Sequence, residues 1–555
     1  MTLRSHYGRL LAAPLLALVL TATTAQAQDA NDWHPDIAYL SRSIPEAHAN
    51  AFHTLDPDEF QRRLARLNDL WPTLDRQGAM IEIARLTAGL RDGHALVGGL
   101  YPFSDEKFHR LPIQFYEFSD GLFIRAAHET HADLVGAKVL KIGDVPTAEA
   151  LERVYPLVSH DNIMSQRSRT PRYLDLTEIL HHVGLAASPR SATLQVEQDG
   201  VVRDVTLAPD NALAAPMEYG LVAREDWVDA NRLQGGEPAL HLRLPSSDFW
   251  HEFDPETGLF FLQVNTFENP DVFGDHLAAL EARLEEIEVD RFVLDIRNNQ
   301  GGETSLVPQL AKLLMASEDA NRKDRFFVLI GRRTFSSGQL LVNALAQYSH
   351  AIFIGEPTGG SPIFYGNSRP NIRLASHDIT VFMPQKVWMT TESDDTRRWH
   401  APDIAVSPSF ADYAANRDPA LEAAIQFEGL PDLETELASR LFADPVQLDA
   451  AISRYRAYKA DPRFRYVDTE ALINTLGYRL LGEERAHEAV TILALNVEDH
   501  PASANAYDSL AEAVLATGDL PRAQLLYSRA LSLDPSSDHS RRQLEYVRER
   551  IELAE

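Results

Sequence analysis

"RFFVLIGRRTFSSGQLLVNALAQY", residues 325–348, decides the fold class. Its first part is a continuous apolar run of strand length. Its last part repeats apolar residues at helical spacing. A strand buried on both faces and followed at once by a helix is the unit of a parallel sheet. The neighbouring stretches repeat the unit. "GLFFLQV" (258–264) and "RFVLDIR" (291–297) read as strands, "VFGDHLAALEARLEEI" (272–287) and "SLVPQLAKLLM" (305–315) as helices, and "AIFIG" (351–355) as a further strand. Residues 209–428 are therefore expected to form an α/β core with a largely parallel sheet. Ligand sites in such sheets lie beyond the carboxyl ends of the strands. "RNNQGG" (297–302) and "TFSSG" (334–338) both fall at such ends.

The two hydroxyls at the second of these ends, Ser336 and Ser337, allow two readings. A serine before a helix is an N-cap. A serine on a strand-to-helix turn can also be a nucleophile, since the following N–H groups and the helix dipole favour an oxyanion there. The paired glycines of "RNNQGG" would let a backbone N–H approach a substrate closely.

Working outward, the chain of 555 residues is too long for one core and is expected to be multidomain. Residues 28–107 read as a helical N-terminal segment, with "DPDEFQRRLARLNDLWPTL" (56–74) and "GAMIEIARLTAGL" (78–90) at helical spacing. The latter stops at "RDGHALV" (91–97), which carries His94. Residues 108–208 are β-rich. "VGAKVLKIGDVP" (135–146) precedes a helix, and "SATLQVEQDGVVRDVTLAP" (191–209) is a hairpin. This order resembles a PDZ domain of the bacterial, circularly permuted kind, interrupted by the stretch 160–190. That resemblance implies a groove taking an extended peptide.

Residues 429–465 read as a helical linker. Beyond them, residues 466–555 repeat with a period of 34, Leu476 matching Leu510, Gly477 matching Ala511, Ala489 matching Ala523 and Pro501 matching Pro535. The region resembles two tetratricopeptide repeats with a capping helix, an all-α unit that could carry a protein partner.

Residues 1–27 read as a secretory signal peptide. Arg4 and Arg9 precede the apolar run "LLAAPLLALVL", and "AQA" (25–27) supplies small residues for cleavage. No later stretch approaches the ~18 consecutive apolar residues of a membrane span. The chain is expected to be exported, periplasmic or secreted. Its formal net charge of −29 becomes −31 without the two leader arginines. That argues against nucleic acid as a partner. With no cysteine, disulfides and thiolate chemistry are excluded. "HETH" (128–131) lacks the spacing of a zinc helix, and neither a metal nor a cofactor is expected.

"FVLDIRNNQGG" (292–302), "TFSSGQLLVNALAQ" (334–347) and "AIFIGEPTGGS" (351–361) occur in an order that resembles the C-terminal processing (tail-specific) peptidase family. The resemblance implies a serine-type peptidase acting on peptide or protein substrates. Ser336 would be the nucleophile, and Gly302 and Ser337 would supply the oxyanion-hole N–H groups. The tail-specific branch takes a lysine base from the segment after "GEPT". Here that position is Ser361, and the next lysine is the distant Lys386. The tricorn-like branch takes a histidine instead, and His94 matches it, with Gly93 where that branch has a serine. The carboxylate orienting the histidine is expected within "TTESDDTRRWHAPDI" (390–404), from Glu392, Asp394 or Asp395, with Asp395 nearest the matching position. The competing readings are a binding protein of the same fold and a hydrolase of esters or small peptides.

Overall fold

The computed structural model describes residues 33–100, 108–213, 217–218, 221–222, 224–244 and 246–553. The leader expected at 1–27 lies outside the described residues. No described helix is long and apolar enough to cross a membrane.

The sheet expected from residues 258–355 is present and has six strands. Phe249–Asp254 runs antiparallel to Leu259–Val264. Arg291–Asp295, Phe326–Ile330, Ile352–Gly355 and Ile404–Ala405 then follow in parallel. Continuous apolar runs serve both faces. Phe326, Val328 and Ile330 pack under the helices Pro270–Glu286, Val307–Ala316 and Ser337–Tyr348. Phe327 and Leu329 pack against Leu421 and Ala424 of the helix Pro419–Ile425 on the other side. Each such buried side chain contributes about 1.5–3 kcal/mol of transfer free energy. A polar substitution in this run would therefore be felt throughout the sheet.

The N-terminal segment forms three helices, Pro35–Ala47, Pro57–Leu70 and Arg76–Ala88. Asp56 and Asp75 cap the last two through their carboxylates. The chain then turns through His94 into the short strand Leu96–Val97. That strand pairs with a long hairpin, Ile363–Leu374 and Ile379–Met389, which the sequence reading did not anticipate. Residues 113–207 supply six strands of an antiparallel sheet whose seventh, the edge strand Trp227–Asp229, lies beyond the expected boundary at 208. One apolar core joins these parts, running from Ile37 through the β-rich sheet to Met383 of the hairpin. The stretch 160–190 contains three short helices, Ile163–Arg169, Pro171–Leu174 and Thr177–His182.

The C-terminal region is helical and has its own core, from Leu433 to Val547. Its last five helices are Glu470–Gly482, Ala486–Asp499, Ala504–Ala516, Leu520–Leu533 and Asp538–Glu552. Gly477 lets the first two approach closely, since a Cβ there would stand 2.5 Å from Leu493.

Candidate active site

Ser336 sits between the strand Phe326–Ile330 and the helix Ser337–Tyr348 with φ +54° and ψ −120°. A non-glycine residue held there carries about 1–3 kcal/mol of strain. The surrounding hydrogen bonds over-determine it. Asn299 O accepts from the Phe335 N–H at 3.0 Å, and Phe335 O accepts from the Gly338 N–H at 2.9 Å. Thr334 Oγ1 donates to Ile296 O at 2.9 Å. Asn299 Nδ2 anchors the other side on Val264 O at 3.0 Å, while its Oδ1 takes the Gly301 N–H at 2.8 Å. The glycine loop and the serine turn are thus one hydrogen-bonded unit.

Neither serine caps the helix with its side chain. Ser336 makes no capping bond, and Ser337 Oγ donates to Gly302 O at 2.8 Å. The N–H groups of Gly302 and Ser337 have no acceptor among the described residues. The Ser337 nitrogen lies beside Gly301, 2.9 Å from where a Cβ on that glycine would stand. Two free donors therefore flank the turn that presents Ser336, the arrangement an oxyanion needs.

His94 comes to Ser336 across 242 residues of sequence, with Nε2 3.1 Å from Oγ. Its imidazole lies between two rings, Phe335 at 4.5 Å and 27°, and Phe364 at 5.4 Å and 13°. Its carbonyl accepts from Ser368 Oγ at 2.7 Å, so the hairpin holds both its ring and its backbone. Burial is the main reason its pKa falls to about 4. Asp92 works against that shift, and the Arg169 cation adds to it. Arg169 is placed by Nη1 bonds to Gly93 O at 2.8 Å and Ser159 O at 2.7 Å, with its guanidinium over the Phe335 ring. A base lowered in this way is neutral at pH 7 and can accept the serine proton.

The carboxylate beside His94 is Asp92, not Asp395. Asp92 Oδ1 accepts the His94 backbone N–H at 2.7 Å and stands 3.9 Å from His94 Nδ1, which has no hydrogen-bond partner among the described residues. Asp395 instead takes Arg397 through both oxygens, at 2.9 and 2.7 Å. With Glu392 and Asp394 it lines a surface hollow beside Gln347 and Tyr348. Those two residues end the 12-residue helix that begins at Ser337. At about 1.5 Å per residue, the hollow lies nearly 18 Å along the helix from Ser336. The local signal for Asp92 was its position two residues before the histidine, where an aspartate closes an Asx turn.

Asp161, from the stretch that interrupts the β-rich unit, was also missed. Its oxygens accept from the Gly93 N–H at 2.7 Å and the Ser361 N–H at 3.2 Å. Burial, and then the neighbouring Asp92 charge, push its pKa well up. Ser361 Oγ donates to Arg398 O at 2.9 Å. Lys386 lies exposed on the hairpin with its ammonium over Trp388. Asp92, His94 and Asp161 bring potential ligand atoms within 4.8 Å of one another. Their oxygens already accept from protein donors, and His94 Nε2 faces Ser336, so this cluster is organised by hydrogen bonds.

Residues 259–405 match the model of peptidase family S41. That span runs from the second strand of the parallel sheet to its last and includes Gly302 and Ser336, while His94 lies outside it. No curated protein matches. Among solved structures, mature CPAF complexed with lactacystin is 13% identical, with a TM-score of 0.47, over 70% of this chain and 97% of its own. The photosystem II D1 C-terminal processing protease is 14% identical, with a TM-score of 0.34, over 70% and 98%. The tricorn protease is 14% identical, with a TM-score of 0.35, over 70% of this chain and 36% of its own.

Proposed function

We propose, from the premise that residues 259–405 make this chain a serine-type peptidase of family S41, that it hydrolyses peptide bonds through an acyl-enzyme on Ser336. The observation that carries this reading is the 3.1 Å approach of His94 Nε2 to Ser336 Oγ on a strained strand-to-helix turn. Nε2 can accept the serine proton only if the neutral ring carries its own proton on Nδ1, the nitrogen facing Asp92.

The steps follow from these positions. Ser336 Oγ gives its proton to His94 Nε2 and bonds to the scissile carbonyl carbon. The carbonyl oxygen takes the negative charge and accepts from the Gly302 and Ser337 N–H groups. Asp92 steadies the imidazolium. Collapse breaks the C–N bond as His94 hands its proton to the leaving amine. Water then attacks the acyl-enzyme, with His94 again taking the proton, and Ser336 is regenerated.

We read the protein as exported, on the strength of its leader motif. The C-terminal helices are read as two tetratricopeptide-like pairs and a cap. In support, Leu476 and Leu510, and Ala489 and Ala523, occupy equivalent buried positions in successive pairs. A fluorophosphonate probe tests the activity directly. Wild-type protein should be labelled at Ser336 and should cleave a peptide library. Labelling that persists in Ser336→Ala, or hydrolysis unaffected by that change, overturns the assignment.

A further inference from the structure

His48 follows the first described helix, 44 residues before Asp92 in sequence. Its side chain is 0% exposed, and its Nε2 lies 2.9 Å from Asp92 Oδ2. Its Nδ1 accepts the Asn50 backbone N–H at 2.9 Å. A ring nitrogen that accepts carries no proton, so in the neutral ring the proton must sit on Nε2. His48 therefore donates to Asp92, and its tautomer is set by the chain turning at Asn50. The far side of the ring faces His53 and Tyr365. Asp92 in turn faces His94 and Asp161, with Arg169 beside them. Each Asp92 oxygen thus has one donor, Oδ2 from the His48 ring and Oδ1 from the His94 backbone.

We propose that His48 is a positioning residue for hydrolysis, holding the Asp92 carboxylate aimed so that its charge supports the imidazolium formed on His94. The inference rests on the Ser336–His94 reading above and extends it to a four-residue chain, Ser336–His94–Asp92–His48. The His48 ring is fully buried and meets the site through the Asp92 carboxylate, so its effect must pass through Asp92. Loss of its donor frees the carboxylate to rotate away from His94, which raises the barrier for proton transfer and leaves substrate contacts unchanged.

The test compares amides placed at the two ring positions. In His48→Gln the side-chain amide reaches the place of Nε2 and can still donate to Asp92. In His48→Asn it stops at the place of Nδ1. With a short peptide substrate, His48→Asn should lose about tenfold or more in kcat with KM within about twofold, the scale of an orienting partner. His48→Gln should keep kcat within about threefold of wild type, as an intact donor implies. In an Asp92→Ala background the difference between the two should vanish, because the residue through which His48 acts is gone. Equal kcat for His48→Gln and His48→Asn overturns the proposal, as does a difference that persists in Asp92→Ala. Wild-type protein that neither labels at Ser336 nor hydrolyses peptide overturns the Ser336–His94 reading first, and the role of His48 with it. Melting temperatures read in parallel separate unfolding from misplacement. Should His48→Asn not fold, His48→Gln must still keep its kcat, and a tenfold loss in that variant while folded overturns the proposal.

Discussion

Gly301 stands so close to Ser336 that a Cβ on the glycine would lie 2.6 Å from the Ser336 Cβ and 3.1 Å from its Oγ. With φ at +111°, Gly301 also occupies backbone space that side chains rarely adopt. Gly301→Ala should therefore push the serine turn away from His94. The expected result is a fall in kcat/KM of about 100-fold or more, comparable with losing an oxyanion donor. Fluorophosphonate labelling should slow by a similar factor. Normal labelling in the folded variant would show that the loop yields without moving Ser336.

The two rings enclosing His94 should set the pH profile. On the proposed mechanism activity requires the neutral imidazole, so kcat/KM should rise with pH as the imidazolium is lost. Because burial lowers the His94 pKa to about 4, that limb should lie well below the ordinary histidine value, with a plateau by pH 6. Phe364→Ala opens one face of the ring and should move the limb upward. A wild-type limb at the ordinary value would mean that water reaches the ring freely.

Substitution of the carboxylates and the lysine separates the competing assignments. Asp92→Asn should lower kcat strongly, by about 100-fold or more, as loss of a triad member does. Asp395→Asn should stay within about threefold, since its partner is Arg397 and it lies at the far end of the helix from Ser336. Lys386→Ala should do the same. An inactive Asp395→Asn beside a tolerant Asp92→Asn would restore the order expected from the family resemblance.

Asp161 makes a prediction about stability. Its folded-state pKa is raised above the unfolded value by burial and by Asp92, so the folded chain holds a proton that the unfolded chain releases. Stability from this group is present at low pH and is lost as pH rises through that window. Asp161→Asn removes the dependence and can still accept from the Gly93 N–H. The melting temperature of the variant relative to wild type should become more favourable between pH 5 and pH 8. A constant difference across that range would place the titration elsewhere.

The C-terminal core is self-contained from Leu433 to Val547, and its reach to the sheet includes Arg465 to Ser407 at 3.0 Å and Tyr466 against Trp399. Removing residues 430–555, rather than cutting inside that core at 466, should leave turnover of a short peptide within about twofold, as expected for distant sites. Lost turnover in a folded truncation would mean that the helices brace the site.

Much of this arrangement was legible in the sequence because its signals are local. Continuous apolar runs mark the parallel strands, and Gly301, Gly302 and Ser336 follow directly at their ends. His94 follows a helix stop. What was missed depends on distant partners. The hairpin Ile363–Leu374 carries Gly366, Asn367 and Pro370 and a bulge between Arg369 and Ile372, so its alternation is broken. Three acids crowd 392–395, yet helix length puts them at the far end from Ser336. Asp161 became visible only once Gly93 and Ser361 were placed around it, whereas Asp92 had a local signal two residues before His94.

The distance in sequence between His94 and Ser336 also governs when the protein can first act. A chain made from its N-terminus presents His94 hundreds of residues before Phe364, which closes the second face of the ring. Neither half carries both Ser336 and His94, and long-range closure of this kind is slow. On the proposed Ser336–His94 mechanism, hydrolysis would await the docking of the hairpin on the N-terminal helices. On that reading, folding itself would be the step that arms the site.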